Sequence, residues 1–529
     1  MSGAGRARRP PAALTAPAVA AVALVLLPLV YLVVRAGSGG ADAFAVLGRD
    51  TMVRLVVDTL LLVIAVTAAA AVVAVPLAWL VARSDMPGRR IVGVAAALPL
   101  VIPSYVAALA LIGAFAPRGM LQGALEGPFG VERVPEIYGF TGAFLALLLS
   151  TYPYVYLLVV AALRRLDPSL EEAARALGRS RLEAFRLVTL PALRPAIGGG
   201  SLLVALYVLS DFGAVSLMRY DSLTRAVFLQ YRSLFDRRPA AVLALVLVVL
   251  TALALVLETA FRRRAGAPAP AVRSSAPARL GRWRWPAFAA CSGIVAVAFV
   301  VPVAVLVYWA LRGRGGGIET PAWEPAANSL LAAGGASIAA VAAALPIAFL
   351  AVRYPSPLTR LLERLSYSSN ALPGIVIALS LVFFAATYAT PIYQTFSLLL
   401  VAYVVRFLPE AVAGAHSALS RVDPRLEEAA RSLGRPPLSA FMRVTAPLLA
   451  PGLLAGGTLV FLSTMKELPA TLLLRPIGFD TLATEVWTGT AVGGYAQASA
   501  SALVLIALAA PLVYVLTVRE SIEDETPAA

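Results

Sequence analysis

The sequence predicts an all-α polytopic membrane protein of about 12 transmembrane helices in two parallel six-helix repeats, and three observations predict it. Of 529 residues 60% are apolar and only 14% charged, against roughly 25% charged in soluble domains. Apolar runs of about 20 residues, the length that crosses a hydrocarbon core of roughly 30 Å, recur about twelve times. A polar segment is also written twice: Asp167 to Pro195 returns as Asp423 to Pro451, 256 residues later, without a gap and with 19 of 29 residues identical.

In chain order the expected spans are 16–34, 59–82, 91–115, 141–163, 197–218, 240–261, 286–311, 328–352, 371–388, 396–419, 448–474 and 498–518. Lipid offers the backbone no hydrogen-bond partners, so each run is expected as a helix. The first follows Arg6, Arg8 and Arg9 and exceeds the 7–15 apolar residues of a secretory signal, so it reads as an uncleaved anchor. Arg262, Arg263 and Arg264 close span six. Behind them, 265–285 is rich in Pro, Ala, Ser and Arg and reads as a cytoplasmic linker. The expected domains are therefore 1–264, a first six-helix transmembrane domain, and 286–529, a second. Six is even, so both halves enter the membrane the same way round. The 256-residue offset also pairs Pro153 with Pro409, Asp211 with Glu467, Ala214 with Ala470 and Arg219 with Arg475, which indicates a duplicated unit.

The net charge of +15 is distributed as a membrane protein requires. With a cytoplasmic N-terminus, the spans place 29 Lys/Arg and 14 Asp/Glu inside against 13 and 12 outside, as the positive-inside rule expects. That argues against a nucleic-acid partner, puts both termini in the cytoplasm and leaves membrane lipid as the surroundings. Cys291 and His416 are the single cysteine and histidine. This excludes an internal disulfide, a Cys/His zinc cluster and a triad needing a second histidine. No cofactor, metal site or catalytic residue is expected, and His416 reads as packed or interfacial.

The repeated polar segment has the grammar of a short capped helix. Asp167 with Pro168, and Asp423 with Pro424, suit a helix start. Leu170, Ala173, Ala174 and Leu177, repeated as Leu426, Ala429, Ala430 and Leu433, fall at i, i+3, i+4 and i+7 and form one apolar face. Gly178 and Gly434 sit where the chain takes positive φ. Ser180 to Glu183 is a capping box for a second helix, and Pro436 with Pro437 opens its counterpart. A helix of about ten residues is marginal alone in water. Two near-identical copies are better explained by docking on a partner than by simple connection.

On the residues E-A-A-R-A-L-G, nine further residues and V-T-L-P (Glu172 to Pro191), matched again from Glu428 to Pro447 except that Ala446 replaces the usual Leu, the chain resembles the membrane subunits of binding-protein-dependent ABC importers. The resemblance implies the type I importer transmembrane fold. It also implies that Glu172, Ala173 and Gly178, with Glu428, Ala429 and Gly434, contact two separate ATPase subunits. The chain has no P-loop: Lys466 is its only lysine, and no G-x-x-x-x-G-K-[ST] surrounds it. ATP is expected to be used by another polypeptide.

A charge near the bilayer centre costs about 2.5–3.5 kcal/mol, which singles out Asp211, Glu467 and Lys466. Asp211 and Glu467 are expected to face each other across a pseudo-twofold axis, either as an acidic translocation path for a cation or as structural polar contacts. Arg406 and Glu410, at i,i+4, are expected to neutralise each other, and Tyr152, Tyr154 and Tyr156 to act as interfacial anchors. K-E-L-P-A-T-L-L-L-R-P (Lys466 to Pro476) and S-D-F-G-A-V-S-L-M-R-Y-D (Ser210 to Asp221) resemble the fused permeases of ferric-iron importers. That likeness implies Fe(III) delivered by a periplasmic binding protein, with no iron ligand assigned. Thiamine or an anion such as a phosphonate is the alternative cargo, and an ATP-independent channel or secondary transporter the alternative class. The segment 116–138, with Glu126, Glu132 and Glu136, is either an external contact for a binding protein or an ordinary solvated loop.

Overall fold

The computed structural model describes residues 10–38, 48, 50–115, 119–130, 135–167, 169–232, 238–264, 278–312 and 322–523. Arg6, Arg8, Arg9, Pro168, Glu132 and 265–277 of the expected linker lie outside them. Among the described residues no strand occurs, and a single parallel bridge joins Ser84 to Ala278. Eleven helices are long and apolar enough to cross a membrane, and a twelfth candidate is a pair bent by 102°.

The first half runs through α1 (Ala12–Gly37), α2 (Asp50–Arg83), α3 (Arg89–Ala95), α4 (Ser104–Phe115), α5 (Met120–Phe129), α6 (Phe140–Arg165), α7 (Ser169–Ala176), α8 (Leu190–Ser210), α9 (Gly213–Leu217) and α10 (Arg238–Arg264). The second contains α11 (Arg284–Val295), continued through a π turn into α12 (Val301–Ala310), then α13 (Trp323–Arg353), α14 (Pro357–Ser366) and α15 (Gly374–Tyr388). It ends with α16 (Phe396–Arg421), α17 (Pro424–Ser432), α18 (Ala446–Met465), α19 (Pro469–Leu474) and α20 (Tyr495–Glu523).

Three expected spans are interrupted, and a fourth, 371–388, is the helix α15, bent sharply away from a preceding helix, α14, that lies outside the expected spans. Span 91–115 is α3, a 3-10 turn Leu98–Val101 and α4. Each break precedes a proline: Ile102, before Pro103, has ψ 112° and Leu372, before Pro373, has ψ 108°. A residue ahead of proline is pushed out of the helical region. Spans 197–218 and 448–474 break at Asp211 and at Lys466 to Leu468, between α8 and α9 and between α18 and α19. Irregular backbone at membrane depth is tolerated where protein supplies the missing partners.

Two compact units gather the described residues of Met1–Val46, Gln230–Val248 and Ala322–Glu485, and of Leu47–Leu229, Val249–Pro321 and Val486–Ala529. In the former, α13, α16 and α18 pack on one another and α1 lies against α13, α14 and α15. Tyr31 meets Phe384 and Tyr388 edge-on at 5.7 and 6.1 Å. In the latter, α2, α6 and α8 form the core, and α12 lies against α4 and α20. Trp309 donates to Gly113 O at 3.0 Å and meets the Tyr495 ring at 5.4 Å. Packing therefore places the first span of each half with the core of the other half's sequence. Small residues allow the close approach: Ala70, Ala74 and Ala78 on α2, and Ala336, Ala340 and Ala344 on α13, are fully buried. A Cβ on Gly414 of α16 would stand 2.8 Å from Gly456 Cα of α18.

Candidate functional site

Both copies of the repeated segment fold as expected and are built alike. Asp167 Oδ1 accepts from Ser169 N at 2.9 Å, and Asp423 Oδ1 from Arg425 N at 2.9 Å, which starts α7 and α17. Each helix ends on a glycine at positive φ, 86° at Gly178 and 84° at Gly434. The following amide reaches back to close the last turn: Arg179 N bonds Ala174 O at 3.2 Å, and Arg435 N bonds Ala430 O at 3.2 Å. That is the glycine-dependent helix stop. Ser180 and Glu183 form the reciprocal capping box, with Ser180 N to Glu183 Oε2 at 2.8 Å and Glu183 N to Ser180 Oγ at 3.3 Å. These bonds hold the Glu183 carboxyl below the usual carboxylate range.

Neither helix buries a residue. Glu172, Ala173, Gly178, Glu428, Ala429 and Gly434 are all exposed. So is the apolar face: Leu170 and Leu177 are 57% and 84% exposed, Leu426 and Leu433 48% and 85%. Both copies thus present the same leucines in the open on a capped helix.

Beneath each helix lies a brace that sequence reasoning missed. Arg83, at the end of α2, donates to Leu163 O and Leu166 O at 2.6 and 2.5 Å, and Arg353, at the end of α13, donates to Val422 O at 3.1 Å. Thr189 donates to Glu171 Oε2 at 3.2 Å, and Thr445 to Glu427 Oε2 at 3.3 Å. Trp79 meets Phe185 edge-on at 6.2 Å, and Phe349 meets Phe441 at 5.9 Å. Both braces end in a π turn, Phe185–Thr189 and Phe441–Thr445. The signal was present: P-L-A-W-L-V-A-R (Pro76 to Arg83) returns as P-I-A-F-L-A-V-R (Pro346 to Arg353) at an offset of 270 rather than 256. From Ser104 to Pro153 the first half runs 14 residues longer than the second does from Gly374 to Pro409, and there it carries the additional helix α5.

The membrane acids sit at the helix breaks. Asp211 is buried and accepts from the Ser104 hydroxyl at the start of α4, from Ala214 N at 3.0 Å and from Val215 N at 3.3 Å. Its carbonyl accepts from Thr224 at 2.7 Å. Glu467 repeats the arrangement: Oε1 accepts from Ala470 N at 3.4 Å, its carbonyl from Thr471 at 2.6 Å, and the carboxylate lies against Gly374, the first residue of α15. Ser104 and Gly374 are themselves 270 residues apart. Each carboxylate thus joins the start of an interrupted helix to the amides freed by the break, where a negative charge is favoured.

Around Glu467 the second half adds charges with no counterpart in the first, where Ser150, Tyr154 and Ser210 stand at the positions of Arg406, Glu410 and Lys466. Arg406 and Glu410 do interact electrostatically, but each is anchored elsewhere, Arg406 on Leu372 O and Glu410 on Ser463 Oγ at 3.0 Å. Lys466 feels Glu410, and Glu467 feels Arg406, so the four make a neutral set. Tyr152 and Tyr156 are buried, Tyr156 donating to Gly93 O at 2.9 Å, which makes them core residues rather than interfacial anchors. His416 stands 3.5 Å from Glu363. Among the described residues no group of three His, Cys, Asp or Glu side chains is placed to hold a metal.

The sequence profile of the family described as "Binding-protein-dependent transport system inner membrane component" matches residues 74–266 and 340–519. Each matched segment holds one exposed loop helix and one break carboxylate. The chain is 35% identical over 520 residues to the "Fe(3+)-transport system permease protein FbpB 2" of Haemophilus influenzae, which covers 96% of this chain and 98% of that protein. It is 26% identical over 400 residues to the "Ferric transport system permease protein FbpB" of Actinobacillus pleuropneumoniae, covering 71% of this chain and 58% of that one. Similarity to the "Sulfate transport system permease protein CysT" of Salmonella typhimurium is 32% over 193 residues, 36% of this chain and 68% of the relative.

Proposed function

The chain belongs to the family of binding-protein-dependent transport system inner membrane components, with the type I ABC importer transmembrane fold, and from that premise we propose that it is the fused, two-half permease of a ferric-iron importer. The observation that carries the cargo is similarity along 96% of the chain to an Fe(3+)-transport permease. In this reading a periplasmic binding protein delivers Fe(III), and two ATP-binding subunits in the cytoplasm grip α7 and α17 through Glu172, Ala173 and Gly178 and through Glu428, Ala429 and Gly434. Both termini are cytoplasmic, and the moving bodies are the two compact units, each the core of one six-helix half with the first span of the other.

The braces explain how a push on an exposed helix reaches the membrane. Arg83 and Arg353 tie each loop to the end of a long membrane helix, and charge-assisted bonds of this kind contribute about 1.5–3 kcal/mol each. Asp211 and Glu467 act as joints: their oxygens are engaged by helix starts, and Arg406 helps to balance Glu467. Selectivity then resides chiefly in the delivering protein.

The test is uptake of radiolabelled iron by proteoliposomes containing the chain, its ATPase and its binding protein, alongside iron-limited growth of a deletion strain. ATP-dependent iron accumulation, with a growth defect relieved by excess iron, supports the reading. Accumulation without ATP supports a channel or secondary transporter instead. Similarity to a sulfate permease favours an anion as second cargo, and labelled sulfate in the same vesicles separates the two.

A further inference from the structure

The junction between the two halves carries a surface that transport does not account for. Residues 278–285 read A-R-L-G-R-W-R-W, and they are fixed in place. Ala278 N donates to Arg83 O at 2.7 Å, Asp85 N to Ala278 O at 3.1 Å and Leu280 N to Asp85 Oδ1 at 2.8 Å. Helix α3 packs alongside α11, and a Cβ on Gly88 would meet the Phe288 ring at 3.2 Å. Because Arg83 also holds Leu163 and Leu166, this junction and the loop carrying α7 share one end of their unit.

On this pinned platform Arg90, Arg279, Arg282 and Arg284 are exposed. Trp283 and Trp285 are 61% and 58% exposed. Arg282 lies over the Trp283 ring at 5.7 Å and Arg284 over Trp285 at 5.9 Å. Asp85, beside them, is engaged by Leu280 N. The tryptophans open a helical stretch, Gly281–Ala310, that is long and apolar enough to cross a membrane. Indole rings at the mouth of such a helix belong at the headgroup level, and guanidinium forks beside them match phosphate oxygens.

We propose that this Arg–Trp platform is a binding site for anionic phospholipid headgroups, which holds the start of α11 and the adjoining end of α2 to one leaflet. The proposal rests on the chain spanning a membrane and is independent of the cargo. A lipid suits the site better than a soluble protein, since the two indoles flank an apolar helix and exposed arginines stand beside them.

The test uses the full chain in nanodiscs of phosphatidylcholine mixed with phosphatidylglycerol, with brominated acyl chains carried on one lipid or the other. The signal of Trp283 and Trp285 is the difference between wild type and the Trp283→Phe/Trp285→Phe variant. Bromine on phosphatidylglycerol is expected to quench it more strongly than bromine on phosphatidylcholine. Arg90→Gln, Arg282→Gln and Arg284→Gln should each weaken that preference by about fivefold, the effect of one cation at an anionic surface. Arg312→Gln, beyond the far end of α12, should leave it unchanged. Equal quenching by the two lipids, quenching by neither, or a preference that survives removal of all three arginines overturns the proposal. A loss at Arg312 matching that at the platform assigns the preference to bulk charge and overturns it too.

Discussion

Replacing Asp211 by alanine and by asparagine separates a joint from a cargo site. Both substitutions remove the charge, so the relief of its burial cancels in the comparison. Alanine orphans three donors, the Ser104 hydroxyl and the amides of Ala214 and Val215, at about 1 kcal/mol or more each. Asparagine keeps Oδ1 for the amides and can donate its own N–H to the Ser104 oxygen. The alanine variant should therefore be less stable than the asparagine variant by about 3 kcal/mol. At about 2–4 °C per kcal/mol for folding units of this size, that is about 6–12 °C in the thermal midpoint. The assay is the fraction of full-length chain that stays monodisperse on size exclusion after stepwise heating in detergent, both variants scanned identically. Coincident midpoints would refute the joint. If Asp211→Asn keeps its midpoint but loses iron uptake, the carboxylate acts on the cargo.

Gly178→Ala and Gly434→Ala force an L side chain into φ of 86° and 84°. They should cost about 1–2 kcal/mol locally, seen as roughly tenfold faster amide exchange in α7 or α17 alone. Arg83→Ala removes two carbonyl bonds and Arg353→Ala one, so hydrogen exchange before α7 should accelerate more than before α17. The Glu183 carboxyl is held below its ordinary value by Ser180. The capping box therefore stabilises its turn fully above the unfolded value of about 4.3, and that contribution is lost as pH falls through the depressed value. Protection at 181–184, corrected for intrinsic rate, should fall in acid, while the turn opened by Pro436 and Pro437 should not change.

Helix number, the duplication and the capped loops were legible because length, hydropathy and cap chemistry are local. What stayed hidden depends on tertiary partners. Span 91–115 breaks at Ile102, and the helix that starts at Ser104 is largely buried in protein rather than lipid, so the break is set by its packing and not by hydropathy. Hydropathy averaging likewise ran across Asp211, because the chain that compensates the break, Ser104, lies 107 residues earlier. The braces escaped through a change of offset: a single register of 256 aligns the loops, whereas Arg83 and Arg353 answer to 270.

The central claim is that α7 and α17 are grips for separate motors. A photo-cross-linking residue placed at Ala173, and separately at Ala429, in the assembled and transporting complex tests it most directly. The account predicts a covalent adduct with the ATP-binding subunit from both positions, each lost when Glu172→Arg and Glu428→Arg are introduced together. Efficient iron uptake with no such adduct from either position would contradict it.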